Sequence, residues 1–203
     1  MIIVDAEMSG LNPYKHSIVS LGAVDFARPE RQFYGECRIW DGAETDSEAL
    51  AVNGFTDAQC RDINRKSETE LIKEFYAWVQ NAPDKTLAGQ NVSFDREFLN
   101  GALKRAGIEW RFSFRNLDLH SIFYAKFLKE GRDIPLRDDQ SALSLTKILE
   151  SLGLPPEPKP HIALNGAKYE AEAFSRIIRG KNLLPEFAQY PVETPEQGKL
   201  IKG

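Results

Sequence analysis

The stretch MIIVDAEMSGLNP, residues 1–13, decides how the chain is read. Ile2 to Val4 are apolar and mostly β-branched, the composition of a buried strand. Asp5 and Glu7 continue that strand two residues apart, so a period of two puts both carboxylates on one face. Two neighbouring carboxylates repel unless a positive charge lies between them, and a hard divalent cation such as Mg²⁺ suits an all-oxygen donor set. The competing reading is a sheet edge carrying two solvated acids. Ser9-Gly10-Leu11-Asn12-Pro13 closes the strand with a turn. Two further strands follow at short spacing, SIVSLGAVDF (17–26) and QFYGECRIW (32–40), and the three form an antiparallel meander.

The rest of the chain alternates. Residues 41–67 are polar and turn-rich, with an Asn53-Gly54 step, and hold short helices. Glu68 to Gln80 has a helical period, opened by a capping box of Ser67 and Glu70. Thr86 to Gly89 is a short strand. Asp95 to Ala106 is a helix closed by Gly107, and Asp95 also suits an N-cap. Asn116 to Leu119 is a fifth strand running into a helix over Ile122 to Lys129, and Leu143 to Leu152 is a helix closed by Gly153. Four prolines among residues 155–160 make a stiff loop. Ala163 to Arg179 is the last helix, with Leu164, Ala167, Ala171, Phe174 and Ile178 on one face. The expected organisation is one domain over residues 1–182 and a C-terminal tail over 183–203. Strands first, then alternating helices and strands, imply an α/β fold with helices on the faces of a mixed sheet.

Composition bounds the partners. The 203 residues carry 26 basic and 30 acidic side chains, a net charge of −4, which disfavours binding to nucleic acid by bulk charge. The charge is uneven, however: residues 1–100 hold 10 basic and 17 acidic side chains, and residues 101–203 hold 16 and 13. Arg105, Arg111, Arg115, Lys126 and Lys129 could therefore form a phosphate-tracking surface, or merely a solvated helix face. Cys37 and Cys60 fit neither a disulfide framework nor a zinc spacing and read as reduced thiols of a cytoplasmic protein. No signal peptide or membrane span is expected.

Asp5-Ala6-Glu7-Met8-Ser9-Gly10-Leu11-Asn12-Pro13, Asn91-Val92-Ser93-Phe94-Asp95 and His161-Ile162-Ala163-Leu164-Asn165-Gly166-Ala167 together resemble, in order, the three motifs of the DEDDh 3′–5′ exonucleases. Those include the proofreading subunit of bacterial replicative polymerase, oligoribonuclease and ribonuclease T. Residues 17–24 resemble the family's second strand, and 48–56 a segment at the active-site rim. The resemblance covers about residues 1–180. It implies a ribonuclease-H-like fold with a five-stranded mixed sheet, and two-metal hydrolysis of phosphodiesters at single-stranded DNA or RNA 3′ ends with Mg²⁺ or Mn²⁺. Asp5 would bridge two ions, Glu7 and Asp95 would each hold one, and His161 would take a proton from the attacking water. Met8 and Leu11 would pack on the terminal nucleotide, with Asn91 and Phe94 as the opposite wall. Several members are dimers, so a homodimer or a polymerase partner is a further expectation.

One position departs from the pattern. The family has an aspartate five residues after the histidine, and here Gly166 stands in its place. Three readings are open: a catalytically inactive module that still binds nucleic acid or a polymerase; replacement of the lost aspartate by Glu170; or slow turnover on the remaining acids. Glu170 lies one helical turn on, and helix side chains lean toward the N-terminus, over the space Gly166 leaves empty. Glu172 lies well around the helix and should not reach.

Overall fold

The computed structural model describes residues 1–192. Its main sheet has five strands in the order β3-β2-β1-β4-β5. β1 (Ile2–Met8) pairs antiparallel with β2 (Ile18–Asp25), which pairs antiparallel with β3 (Gln32–Glu36). On its other side β1 runs parallel to β4 (Leu87–Gly89), which runs parallel to β5 (Leu117–Asp118). The meander is thus present, but β3 ends at Glu36, short of Trp40. Beyond it the chain turns away, and Arg38 makes a single bridge to Ser67.

Helices cover both faces. α1 (Ser47–Asn53) and α2 (Asp57–Arg61) occupy the turn-rich stretch. α3 (Glu68–Gln80) begins with the expected capping box, in which Ser67 and Glu70 satisfy each other's backbone N–H groups. α3 and α4 (Ser93–Arg105) pack on one face of the sheet over Ile2, Val4, Leu71, Phe75, Phe98 and Leu99. α5 (Leu119–Lys129), α6 (Leu145–Ser151) and α7 (Ala163–Arg179) pack on the other, over Ile3, Val24, Phe123, Ile148, Ala171 and Phe174. Alternate residues of β1 therefore face opposite cores, as the strand period requires.

Three differences from the sequence reading have local causes. A small hairpin of β6 (Leu136–Arg137) and β7 (Gln140–Ser141) was not expected. Its turn uses Asp138 and Asp139 at φ 51° and 59°, a left-handed pair without the glycine that normally signals it. Ile178, placed on the buried face of α7, is 53% exposed because the last turn of the helix runs past the core. Of the stretch expected as a tail, residues 193–203 lie outside the described residues. Before them Leu184 and Phe187 are buried in the α7 core, and the carbonyls of Tyr190 and Pro191 accept from the Arg176 guanidinium.

α7 sits unusually close to the sheet. A Cβ at Gly22 of β2 would lie 2.2 Å from the carbonyl carbon of Ala163, so glycine there lets the helix start directly on the strand. This close approach carries the first two turns of α7 over Asp5.

Candidate active site

β4 is short, and its pairing with β1 stops at Ile3. Asp5 and Glu7 therefore stand past the carboxyl end of the parallel pair, on a stretch of β1 held by β2 alone. Open α/β sheets place their ligands at such a point. The Ala6 N–H donates instead to Asp95 Oδ1 at 3.0 Å. Asp95 lies in the first turn of α4 rather than at its cap, and this bond locks the second motif onto the first.

α7 completes the group. An ideal Cβ on Gly166 would lie 2.1 Å from Asp5 Oδ2, so the aspartate occupies the space an ordinary residue would fill. Glu170, one turn later, is 2% exposed. Its Oε2 reaches to 3.0 Å from where a Cβ on Gly89 would stand, at the end of β4. That oxygen is buried with no hydrogen-bond partner, and so is Oε1 of Glu157 in the proline loop.

Burial and mutual charge raise the proton affinity of these acids. Burial first, then the charges of Asp95, Glu7 and Glu157, hold Asp5 well above the usual carboxylate range. Burial, then Asp5, Asp95 and Glu157, does the same for Glu170. Burial raises Glu7 to about 7, and Asp95 to about 8 with a contribution from Glu7. Burial and Glu7 raise Glu157 to about 7. Carboxylates raised by both desolvation and like charge mark a site made for a cation or a proton. No three of them converge into a closed ligand set among the described residues. The all-oxygen donors and the two orphaned buried oxygens fit a hard divalent ion.

His161 is half-buried at the foot of α7, and burial and then Lys159 lower its pKa. Its N–H donates to Val52 O at 3.4 Å, and Pro160 packs against Gly54, where a Cβ would meet the ring at 2.9 Å. The end of α1 thus sets the height of the histidine loop. Asn53 of the same helix donates to Met8 O at 3.1 Å. The sequence hinted at this role only through the rim segment 48–56. His16 was missed: its Nδ1 accepts from Asn12 N at 2.9 Å and braces the loop after β1.

The expected substrate walls are mixed. Met8 is buried, whereas Leu11 is 74% exposed and Phe94 stands half-open against Phe98 at 5.2 Å. Asn91 is exposed at φ 55° in the β4–α4 turn.

Comparison with known proteins agrees with this geometry. Residues 2–174 match the ribonuclease T family described as "Exonuclease". The chain belongs to this exonuclease family. It is 25% identical over 178 residues to the PolC-type DNA polymerase III of Thermotoga petrophila, covering 87% of this chain and 12% of the polymerase. It thus spans only a small part of such relatives. Over 181 residues it is 25% identical to the 3′–5′ DNA exonuclease Cap18 of Escherichia coli, covering 87% of this chain and 90% of that one. The solved nuclease domain of 3′hExo, a DEDDh family member bound to rAMP, superposes with a TM-score of 0.66 at 18% identity and covers 95% of both chains. The fold is that of the ribonuclease-H-like exonucleases. No helix among the described residues is long and apolar enough to cross a membrane.

Within the exonuclease domain, Glu172 has a different task from Glu170. It is fully buried, pairs with Arg176 at 3.0 Å and accepts from the N–H groups of Leu183 and Leu184. It ties the chain after α7 to the core. Arg105 is likewise committed, since it bonds Glu68 through two nitrogens at 2.8 and 2.9 Å. It cannot serve freely in a phosphate-tracking surface.

Proposed function

We propose that the chain, as one catalytic domain built on residues 1–182, is a 3′–5′ exonuclease acting on single-stranded DNA or RNA ends. The observation that carries this reading is the buried carboxylate group of Asp5, Glu7, Asp95 and Glu170 at the end of β1. Asp5, Glu7 and Asp95 hold divalent ions, and Glu170 supplies the fourth carboxylate from one turn beyond Gly166. Bound Mg²⁺ or Mn²⁺ would stabilise the attacking and leaving oxygens of an in-line displacement at phosphorus. His161 takes a proton from the attacking water, which its partly buried, neutral imidazole can do near pH 7. Met8 and Leu11 take one side of the terminal nucleotide, and Asn91 and Phe94 the other. Buried carboxylates with raised proton affinity are costly unless a cation or proton joins them, which supports the metal reading over a relic.

The test uses end-labelled single strands of DNA and of RNA with Mn²⁺, against an Asp5→Ala control. Trimming above the control is expected. Binding without trimming, unchanged by a chelator, would establish a non-catalytic binding or polymerase-associated module instead. Glu170→Gln should lose trimming and weaken Mn²⁺ binding measured by calorimetry. Full activity in that variant would reject Glu170 as the fourth carboxylate.

A further inference from the structure

Glu157 has no place in the motif pattern, yet it is the most constrained residue of the proline loop. Pro156, Pro158, Lys159 and Pro160 around it are exposed, whereas its own side chain is 9% exposed. Its Oε2 lies 3.9 Å from His161 Nδ1. Oε1 is buried without a partner. Prolines at 155, 156, 158 and 160 fix φ along the loop, so the approach of residue 157 to residue 161 is built into the backbone. At its far end the loop is held by Val52 O and Gly54. Both members of the pair are thus anchored independently and brought edge to edge.

We propose that Glu157 is a positioning residue for His161, its carboxylate accepting the Nδ1 proton and so leaving Nε2 as the lone-pair nitrogen. This rests on the reading of His161 as the base. A neutral imidazole carries one proton, and the partner of one nitrogen decides which nitrogen is free to accept. A separation of 3.9 Å is about one ångström too long for a hydrogen bond. Catalytic hydrogen bonds are often long before substrate binds and tighten when it does. The arrangement is that of a base held by a third group, which recurs wherever an imidazole must act in one tautomer.

Nitrogen-resolved NMR of the imidazoles tests this directly in the metal-free protein, which has only three histidines. The expected result is an Nδ1–H tautomer at His161 that reverts to Nε2–H in Glu157→Ala. Glu157→Gln still offers a carbonyl oxygen to Nδ1, so it should keep the tautomer, and it covers the case in which the alanine variant does not fold. In the Mg²⁺-loaded protein Glu157→Ala should lose roughly a hundredfold in kcat with KM and Mg²⁺ affinity unchanged, and Glu157→Gln should recover part of that loss. An unchanged His161 tautomer in Glu157→Ala, with His161→Ala inactive, overturns the inference alone. Weakened Mn²⁺ binding in both Glu157 variants with an unmoved imidazole overturns it too, and makes Glu157 a metal ligand. Full activity in His161→Ala overturns the base reading beneath it.

Discussion

The metal-free protein should become less stable as pH rises from about 5 to about 8, the reverse of ordinary acid unfolding. In the unfolded chain the site carboxylates titrate near 4. In the folded protein Asp95 titrates at about 8, Glu7 and Glu157 at about 7, and Asp5 and Glu170 well above their ordinary values. Between those limits the folded state binds more protons than the unfolded one, so stability is highest in acid and is lost as pH climbs through the folded values. Asp95, moved from 3.8 to about 8, corresponds to about 6 kcal/mol at 1.36 kcal/mol per pH unit, of which about 4 kcal/mol is lost between pH 5 and pH 8. In a domain of this size the loss over that window is a fall in Tm of roughly 8–16 °C. The assay is thermal unfolding of dialysed protein at half-unit steps from pH 5 to 8.5, repeated with excess Mg²⁺ or Mn²⁺. The ions should remove most of the slope, because they favour the ionised acids and bind only the folded site. A metal-free Tm that is flat or rises over this range refutes the reasoning, since the acids would then not share one desolvated site.

Three further predictions follow from the packing. Glu172→Ala leaves Arg176 buried without its counter-charge and should cost about 3–5 kcal/mol, read by chemical denaturation, while Mn²⁺ affinity of the folded fraction stays unchanged. Gly166→Ala would raise the stability of an open helix by about 1 kcal/mol. Here the new Cβ displaces the Asp5 carboxylate, so metal affinity by calorimetry should fall at least tenfold despite the better helix former. Tyr14 and Phe114 are 86% and 74% exposed beside Lys104 and Arg111 in a groove of about 1330 Å³. Replacing either aromatic by alanine should weaken single-strand binding by about 1–3 kcal/mol through lost stacking, measured by anisotropy with and without Mg²⁺.

Local sequence was enough for features that rest on local physics. The meander, the capping box at Ser67, the pairing of Asp5 with Glu7 on one face and the glycine-closed helices all follow from period, propensity or hydrogen bonding within a few residues. What escaped notice depends on contacts far apart in the chain. Glu172 is set apart from Glu170 by the helix period, but its task shows only when the N–H groups of Leu183 and Leu184, beyond the end of α7, are seen to donate to it. Arg105 reads as a free surface base until Glu68, 37 residues earlier, is seen to take it. Glu157 looks like a solvated acid in a polar loop, and only the fold brings it under the influence of Glu7. Its one visible signal was its place between prolines, four residues before the histidine.

On the proposed function, the glycine at 166 is half of an exchange rather than a loss. Three glycines clear the space around Asp5 and Glu170. Gly22 lets α7 rest on β2, Gly166 admits the Asp5 carboxylate beneath the helix, and Gly89 leaves room at the end of β4 for Glu170 Oε2. With an ordinary side chain at 166, Asp5 would have to swing away. With one at 89, the Glu170 carboxylate would be pressed at 3.0 Å. A glutamate one turn along reaches back because helical side chains lean toward the N-terminus and its extra methylene spans part of the 5.4 Å pitch. A chain that had simply lost its aspartate would gain nothing by burying Glu170 with an unpaired oxygen at the end of β4, since such burial costs about 1–3 kcal/mol even for a neutral group. On the proposed function a bound cation would offset that cost, and the same cation would turn the mutual repulsion of these acids into affinity.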